Sequence, residues 1–191
     1  MAAFNHSFLN IPNTLTSLRI ASIPLILFLL DTGNPRSSFW ATLAFSAAFL
    51  TDWLDGFIAR KKNLVTRVGK LLDPLADKLL IGGSLIMLID LDRVQAWMGF
   101  LIIAREIAIT WLRAVLAGKG QIMAASAWGK GKTFFQALAL IPLMLHYSYF
   151  NIDFHFWGLV LLWIALVLTI WSGLIYFYQY YSMIIDKGAK G

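Results

Sequence analysis

Four aspartates stand at fixed spacing with two glycines and an Ala-Arg pair: Asp52-x2-Asp55-Gly56-x2-Ala59-Arg60-x8-Gly69-x3-Asp73-x3-Asp77. On a helix, positions 52, 55, 56, 59 and 60 share one face, and 69, 73 and 77 recur every fourth residue, so each half of the pattern is a stripe. Two such helices facing each other gather four carboxylates. Left uncompensated beside lipid, these groups repel and are costly to desolvate, so divalent cations are the economical way to keep them ionised. Oxygen-only ligands with no His or Cys nearby point to Mg2+ or Mn2+ rather than zinc.

The elements that must carry these residues are apolar. The chain has 191 residues, 59% of them hydrophobic and only 14% charged, with a mean hydropathy of +0.71. That composition excludes an ordinary soluble domain, whose apolar share is nearer one half. Six apolar spans can be drawn at about 13–31, 39–60, 71–90, 95–117, 132–148 and 154–180, each close to the roughly 20 residues a helix needs to cross the hydrocarbon. The expected fold is an all-α polytopic membrane protein with six transmembrane helices. The first span lacks a persuasive small-x-small cleavage site, so it reads as a retained helix rather than a signal peptide.

Orientation follows from the basic residues. Of the 16 Lys and Arg, thirteen lie on one side of the six-span arrangement, Arg36 and Arg93 lie on the other, and Arg105 falls within a span. The positive-inside rule then puts both termini and the Asp pattern in the cytoplasm. The net charge of +6 does not argue for nucleic acid, because the cations sit between apolar spans, where they set topology and meet anionic lipid. Trp and Tyr cluster near span ends, as interfacial belts do. Cysteine is absent, which removes disulfides and thiolate metal sites. No repeat or separating linker appears; the longest connections are 61–70 and 118–131, and residues 1–191 read as one domain.

The eight fixed positions of the Asp pattern resemble the signature of the CDP-alcohol phosphotransferases, without departure. The resemblance implies a fold of that family and a reaction in which an alcohol displaces CMP from a CDP-lipid. Such chemistry needs cations against phosphate oxygens and a base for the alcohol proton. Asp52, Asp55, Asp73 and Asp77 would then hold two metal ions, with Asp77 also acting as the catalytic base. Gly56, Ala59 and Gly69 lack bulk on the same faces and leave room for a nucleotide, although helix packing alone would explain either glycine taken singly. The resemblance carries Asn13, Thr16, Asp52, Gly56, Arg60 and Thr66 over as contacts to the CDP-lipid. Pro74 is expected in the first turn of the third helix.

Further segments narrow the acceptor: Asn10-Ile11-Pro12-Asn13-Thr14-Leu15-Thr16-x2-Arg19, Leu72-Asp73-Pro74-Leu75-Ala76-Asp77-Lys78, Ala104-Arg105-Glu106-Ile107 with Arg113, and Gly129-Lys130-Gly131-Lys132-Thr133-x2-Gln136. With these the chain resembles, over nearly its whole length, the bacterial branch of the family that forms phosphatidylglycerophosphate. This implies CDP-diacylglycerol and sn-glycerol 3-phosphate as substrates, membrane lipids as surroundings, a location in the bacterial inner membrane, and a homodimer. Independent logic supports an anionic acceptor. Arg105 and Arg113 lie eight residues apart on one helix face, and Lys130 and Lys132 open the next span on the same side, so all four are candidates for a phosphate. An arginine as deep as Arg105 needs a partner or a polar cavity, and pairing with Glu106 or a neighbouring helix is the alternative. For Lys130 and Lys132 the alternative is setting topology. Another acceptor, such as inositol phosphate, stays open, as does a small divalent-cation transporter whose aspartates coordinate cargo. His6, His146 and His155 are scattered and receive no catalytic role.

Overall fold

The computed structural model describes residues 11–62, 67–118, 127–149 and 151–188. They form six α-helices and one two-stranded hairpin, divided between two compact units, Met1–Leu91 and Asp92–Gly191.

In the first unit, α1 (Ile11–Asp31) packs against both α2 (Pro35–Lys62) and α3 (Arg67–Asp90). Three consecutive residues make the corner between α1 and α2. Gly33, at φ +65°, donates its N–H to the Leu30 carbonyl and closes α1; this left-handed conformation suits glycine. Asn34 then caps α2, its side-chain oxygen accepting the Ser37 N–H at 2.9 Å. Pro35 takes the first helical position, where its missing N–H costs least. Ile23, Ile26, Leu30, Phe45, Leu80, Leu85 and Leu88 bury the interior faces.

Pro74 is not in the first turn of α3. The helix begins at Arg67, because the basic connection continues as helix before the apolar span starts, and Pro74 stands inside it. There the ring removes one bond of the ladder.

In the second unit, α4 (Ala96–Gly118) and α5 (Ala127–Leu145) both pack on α6 (Phe154–Gly188). Strands β1 (Ser148–Tyr149) and β2 (Ile152–Asp153) pair antiparallel between α5 and α6. Arg93, outside the apolar spans, donates from Nη1 to the Met144 carbonyl at 2.7 Å and so caps the end of α5. Burial pulls its pKa below the usual arginine value, with Tyr147 opposing the shift. The Asp153 carboxylate accepts the Phe156 N–H at 3.0 Å and starts α6. Helices α5 and α6 approach closely at Gly158, where a Cβ would stand 2.6 Å from Leu143 Cγ. That is room only for hydrogen.

The outward faces are apolar. Leu18, Leu25 and Phe28 on α1, and Trp163, Val167, Trp171 and Leu174 on α6, are all exposed. Such stripes are an association hazard in water and are solvated by lipid. Thr14–Asp31 and Phe154–Ser182 are long and apolar enough to cross a membrane, and Gly131–Leu145 is a shorter apolar helix. The chain is an all-α membrane protein.

Candidate active site

The first unit brings five polar side chains together from three helices. Asp73 and Asp77 lie one turn apart on α3, and both turn to α1. Thr16 Oγ1 donates to Asp73 Oδ1 at 2.7 Å. One turn further along α1, Arg19 Nη1 lies 3.5 Å from Asp77 Oδ1 and 2.5 Å from Asp52 Oδ1 on α2. Arg19 Nε also donates to the Ala48 carbonyl of α2 at 3.4 Å. Thr16 and the Arg19 side chain are nearly inaccessible, whereas the Asp52 and Asp77 side chains remain 31% and 40% exposed. The carboxylates therefore line an open face over a buried floor.

A buried guanidinium is costly without a partner, and here two carboxylates converge on it. Sequence reasoning placed Thr16 with the CDP-lipid and Asp52, Asp73 and Asp77 with the metals; the three helices gather all four. It gave Arg19 no place in the site, quoting it only as the last residue of the first supporting segment and among the basic residues that set orientation. The signal available was its position: three residues after Thr16 and thus on the same helical face.

Asp55, Gly56, Ala59 and Arg60 are on α2, Gly69 on α3 and Asn13 on α1, with side chains outside the described set; Thr66 lies outside the described residues altogether. Among the described residues, no three acidic or imidazole groups already form an ion cage. The donor chemistry nevertheless fits a hard divalent cation: α2 and α3, both packed on α1, offer the carboxylate oxygens of Asp52, Asp73 and Asp77, with no nitrogen or sulfur ligand among them.

The second unit holds a separate cationic network. Arg105 Nη1 donates to Glu106 Oε1 at 3.1 Å, and Arg105 Nη2 donates to Ser172 Oγ at 2.9 Å. Lys132 pairs with the same Glu106 oxygen. Arg113 Nη2 donates to the Tyr176 hydroxyl at 2.6 Å. Both guanidinium groups stand over the buried Tyr176 ring, 5.6 Å (Arg105) and 4.8 Å (Arg113) from its centroid. Gly173 admits Arg105 to this place; a Cβ there would lie 3.3 Å from Arg105 Cγ. Three of the four candidate phosphate-binding cations thus share one network, joined by Glu106, the alternative partner weighed for Arg105, and by Tyr176, read from sequence only as an interfacial aromatic. Lys130 is on α5 with its side chain outside the described set.

His146 and His155, read as scattered, meet across the hairpin with their Nδ1 atoms 3.2 Å apart. His146 takes φ +59° just after α5, and this turn carries the ring back toward α6.

Comparison with known proteins agrees with the Asp pattern. A curated protein of Bacillus subtilis (strain 168), a CDP-diacylglycerol–glycerol-3-phosphate 3-phosphatidyltransferase, is 44% identical over 181 residues, covering 88% of this chain and 93% of its own. Proteins of the same name from Haemophilus influenzae and Escherichia coli (strain K12) are each 38% identical over 184 residues, covering 93% of this chain and 97% or 98% of theirs. The model of the family described as CDP-alcohol phosphatidyltransferase matches residues 9–171, a stretch that includes all four aspartates, Thr16 and Arg19. The chain belongs to the CDP-alcohol phosphatidyltransferase family.

Proposed function

We propose that the protein transfers the phosphatidyl group of CDP-diacylglycerol to sn-glycerol 3-phosphate, giving phosphatidylglycerophosphate and CMP, as a step in anionic phospholipid synthesis. The observation that carries the chemistry is the gathering of Asp52, Asp73 and Asp77 around Thr16 and Arg19. The acceptor rests on the curated relatives, all named for glycerol 3-phosphate.

Asp52, Asp55, Asp73 and Asp77 would hold two Mg2+ or Mn2+ ions, which when bound neutralise diphosphate charge and stabilise departing CMP. Thr16 orients Asp73 through its hydroxyl. Asp77, the more exposed of the two carboxylates beside Arg19, takes the proton of the free primary hydroxyl of glycerol 3-phosphate. That oxygen attacks the phosphorus bearing diacylglycerol, the new P–O bond forms, and the bond to the CMP phosphate oxygen breaks. Asn13, Thr16, Asp52, Gly56, Ala59, Arg60, Thr66 and Gly69 accommodate the CDP-lipid. Arg105, Arg113, Lys130 and Lys132 bind the acceptor phosphate, for which the planar fork of arginine is suited.

We assign all six helices to membrane crossings, with both termini and the aspartates on the cytoplasmic side of a bacterial inner membrane. One functional domain spans 1–191, in keeping with a family match that runs through both compact units, and the protein acts as a homodimer. Family membership displaces the transporter reading. An acceptor panel tests the assignment: purified protein, CDP-diacylglycerol and Mn2+ with radiolabelled glycerol 3-phosphate, serine, inositol or inositol phosphate. Lipid-soluble label is expected from glycerol 3-phosphate alone, and label from inositol phosphate would transfer the protein to another branch.

A further inference from the structure

Among the described residues Arg19 is the most buried charged group of the aspartate site, its side chain 3% exposed, and it contacts carboxylates from two different helices. Neither partner is its neighbour in sequence, and its Nε is anchored to the α2 backbone at Ala48. A charge held this way has a consequence for any ion that binds the same carboxylates. We propose that Arg19 is the site's internal counter-cation: it holds Asp52 and Asp77 together in the absence of a divalent ion and competes with that ion for their oxygens.

The inference rests on the metal-site reading of the aspartates and deepens it. Without a positive charge, Asp52 and Asp77 would repel across the helix pair, and assembly of α1 on α2 and α3 would depend on metal. With a fixed positive charge at contact distance, the carboxylates are preorganised, but each arriving divalent ion meets repulsion and loses part of its ligand capacity to the guanidinium. Arg19 thus makes the empty site stable and the ion exchangeable. It is a positioning residue that acts through Asp52 and Asp77, and its role has a signature outside turnover.

The test uses the full chain in detergent micelles and measures thermal unfolding in EDTA and across a Mn2+ titration, with no lipid substrate. The wild type is expected to unfold at higher temperature as Mn2+ is added. Arg19→Gln should unfold earlier than wild type in EDTA, gain more from Mn2+, and reach half-effect at a Mn2+ concentration lower by on the order of tenfold, as removal of a contacting like charge requires. Arg19→Lys, which keeps the charge, should stay near wild type in both measures. An unchanged or higher half-effect concentration in Arg19→Gln would overturn the proposal, as would an Arg19→Lys protein as unstable in EDTA as Arg19→Gln, because packing rather than charge would then be at work. If Arg19→Gln cannot be recovered folded even with Mn2+, Arg19→Lys decides alone: wild-type behaviour supports the charge, collapse refutes it. A wild type indifferent to Mn2+ would instead remove the metal-site reading itself.

Discussion

The hydroxyl of Thr16 donates to the carboxylate of Asp73 at 2.7 Å, joining helices α1 and α3 across 57 residues of sequence. Thr16 is itself almost fully buried. The bond fixes one carboxylate oxygen and leaves the other to serve the site, so Thr16 governs where Asp73 points.

Thr16→Val keeps the shape and removes the donor. Loss of a hydrogen bond to a charged group costs about 1.5–3 kcal/mol, or roughly ten- to a hundredfold in kcat/KM. The expected loss falls on the dependence on CDP-diacylglycerol, and Thr16→Ser should recover most of it. Steady-state kinetics with each substrate varied in turn checks both.

Asp73→Asn and Asp55→Asn should remove nearly all turnover while the protein stays folded and membrane-inserted. EDTA should do the same to wild type, reversibly on return of Mn2+. The measurement is CMP release, paired with a thermal melt to show that the fold survives. Full activity in Asp73→Asn would remove that residue from the metal site.

Arg105 is a donor in two directions, to Glu106 and to Ser172, while its guanidinium plane lies over Tyr176. A lysine has charge but no planar fork. Arg105→Lys should therefore raise the KM for glycerol 3-phosphate about ten- to a hundredfold, the loss expected of a charge-assisted contact, and leave the CDP-diacylglycerol KM nearly unchanged. Equal effects on both substrates would assign the network to structure rather than to the acceptor.

Orientation can be read chemically because the native chain has no cysteine. Between the first two apolar spans Ser38 is fully buried, whereas Arg36 is exposed. Arg36→Cys should react with a membrane-impermeant thiol reagent in intact cells, and Thr66→Cys only after permeabilisation. The reverse pattern would place the aspartates outside.

Much of this architecture was legible in the sequence, and the residues that were not share a cause. The six apolar runs each match one helix, since a helix satisfies a long apolar run's backbone internally, except that the run 132–148 passes the end of α5 at Leu145 and reaches β1. The ends were misjudged where helix continues past the apolar run, as at Arg67 and at Gly188; Pro74 went astray for the same reason. The spacing of Asp73 and Asp77 foretold a shared face, and both do meet α1. Arg19 was hidden because its partners, Asp52 and Asp77, lie on other helices, and spacing along one helix cannot show a contact with another. Glu106 was weighed only as a partner of its neighbour Arg105; its link to Lys132 joins α4 to α5, two helices that both pack on α6. The meeting of His146 and His155 depends on a left-handed residue and a hairpin that hydropathy does not register.

The most direct measurement follows both products of one reaction. Sn-glycerol 3-phosphate carrying 18O in its free primary hydroxyl is incubated with CDP-diacylglycerol, Mn2+ and purified protein, and the lipid and the nucleotide are analysed by mass spectrometry. Attack on the phosphorus bearing diacylglycerol predicts phosphatidylglycerophosphate that retains the 18O, with one unlabelled CMP released per labelled lipid. Phosphatidate without CMP, or a labelled nucleotide, would contradict it.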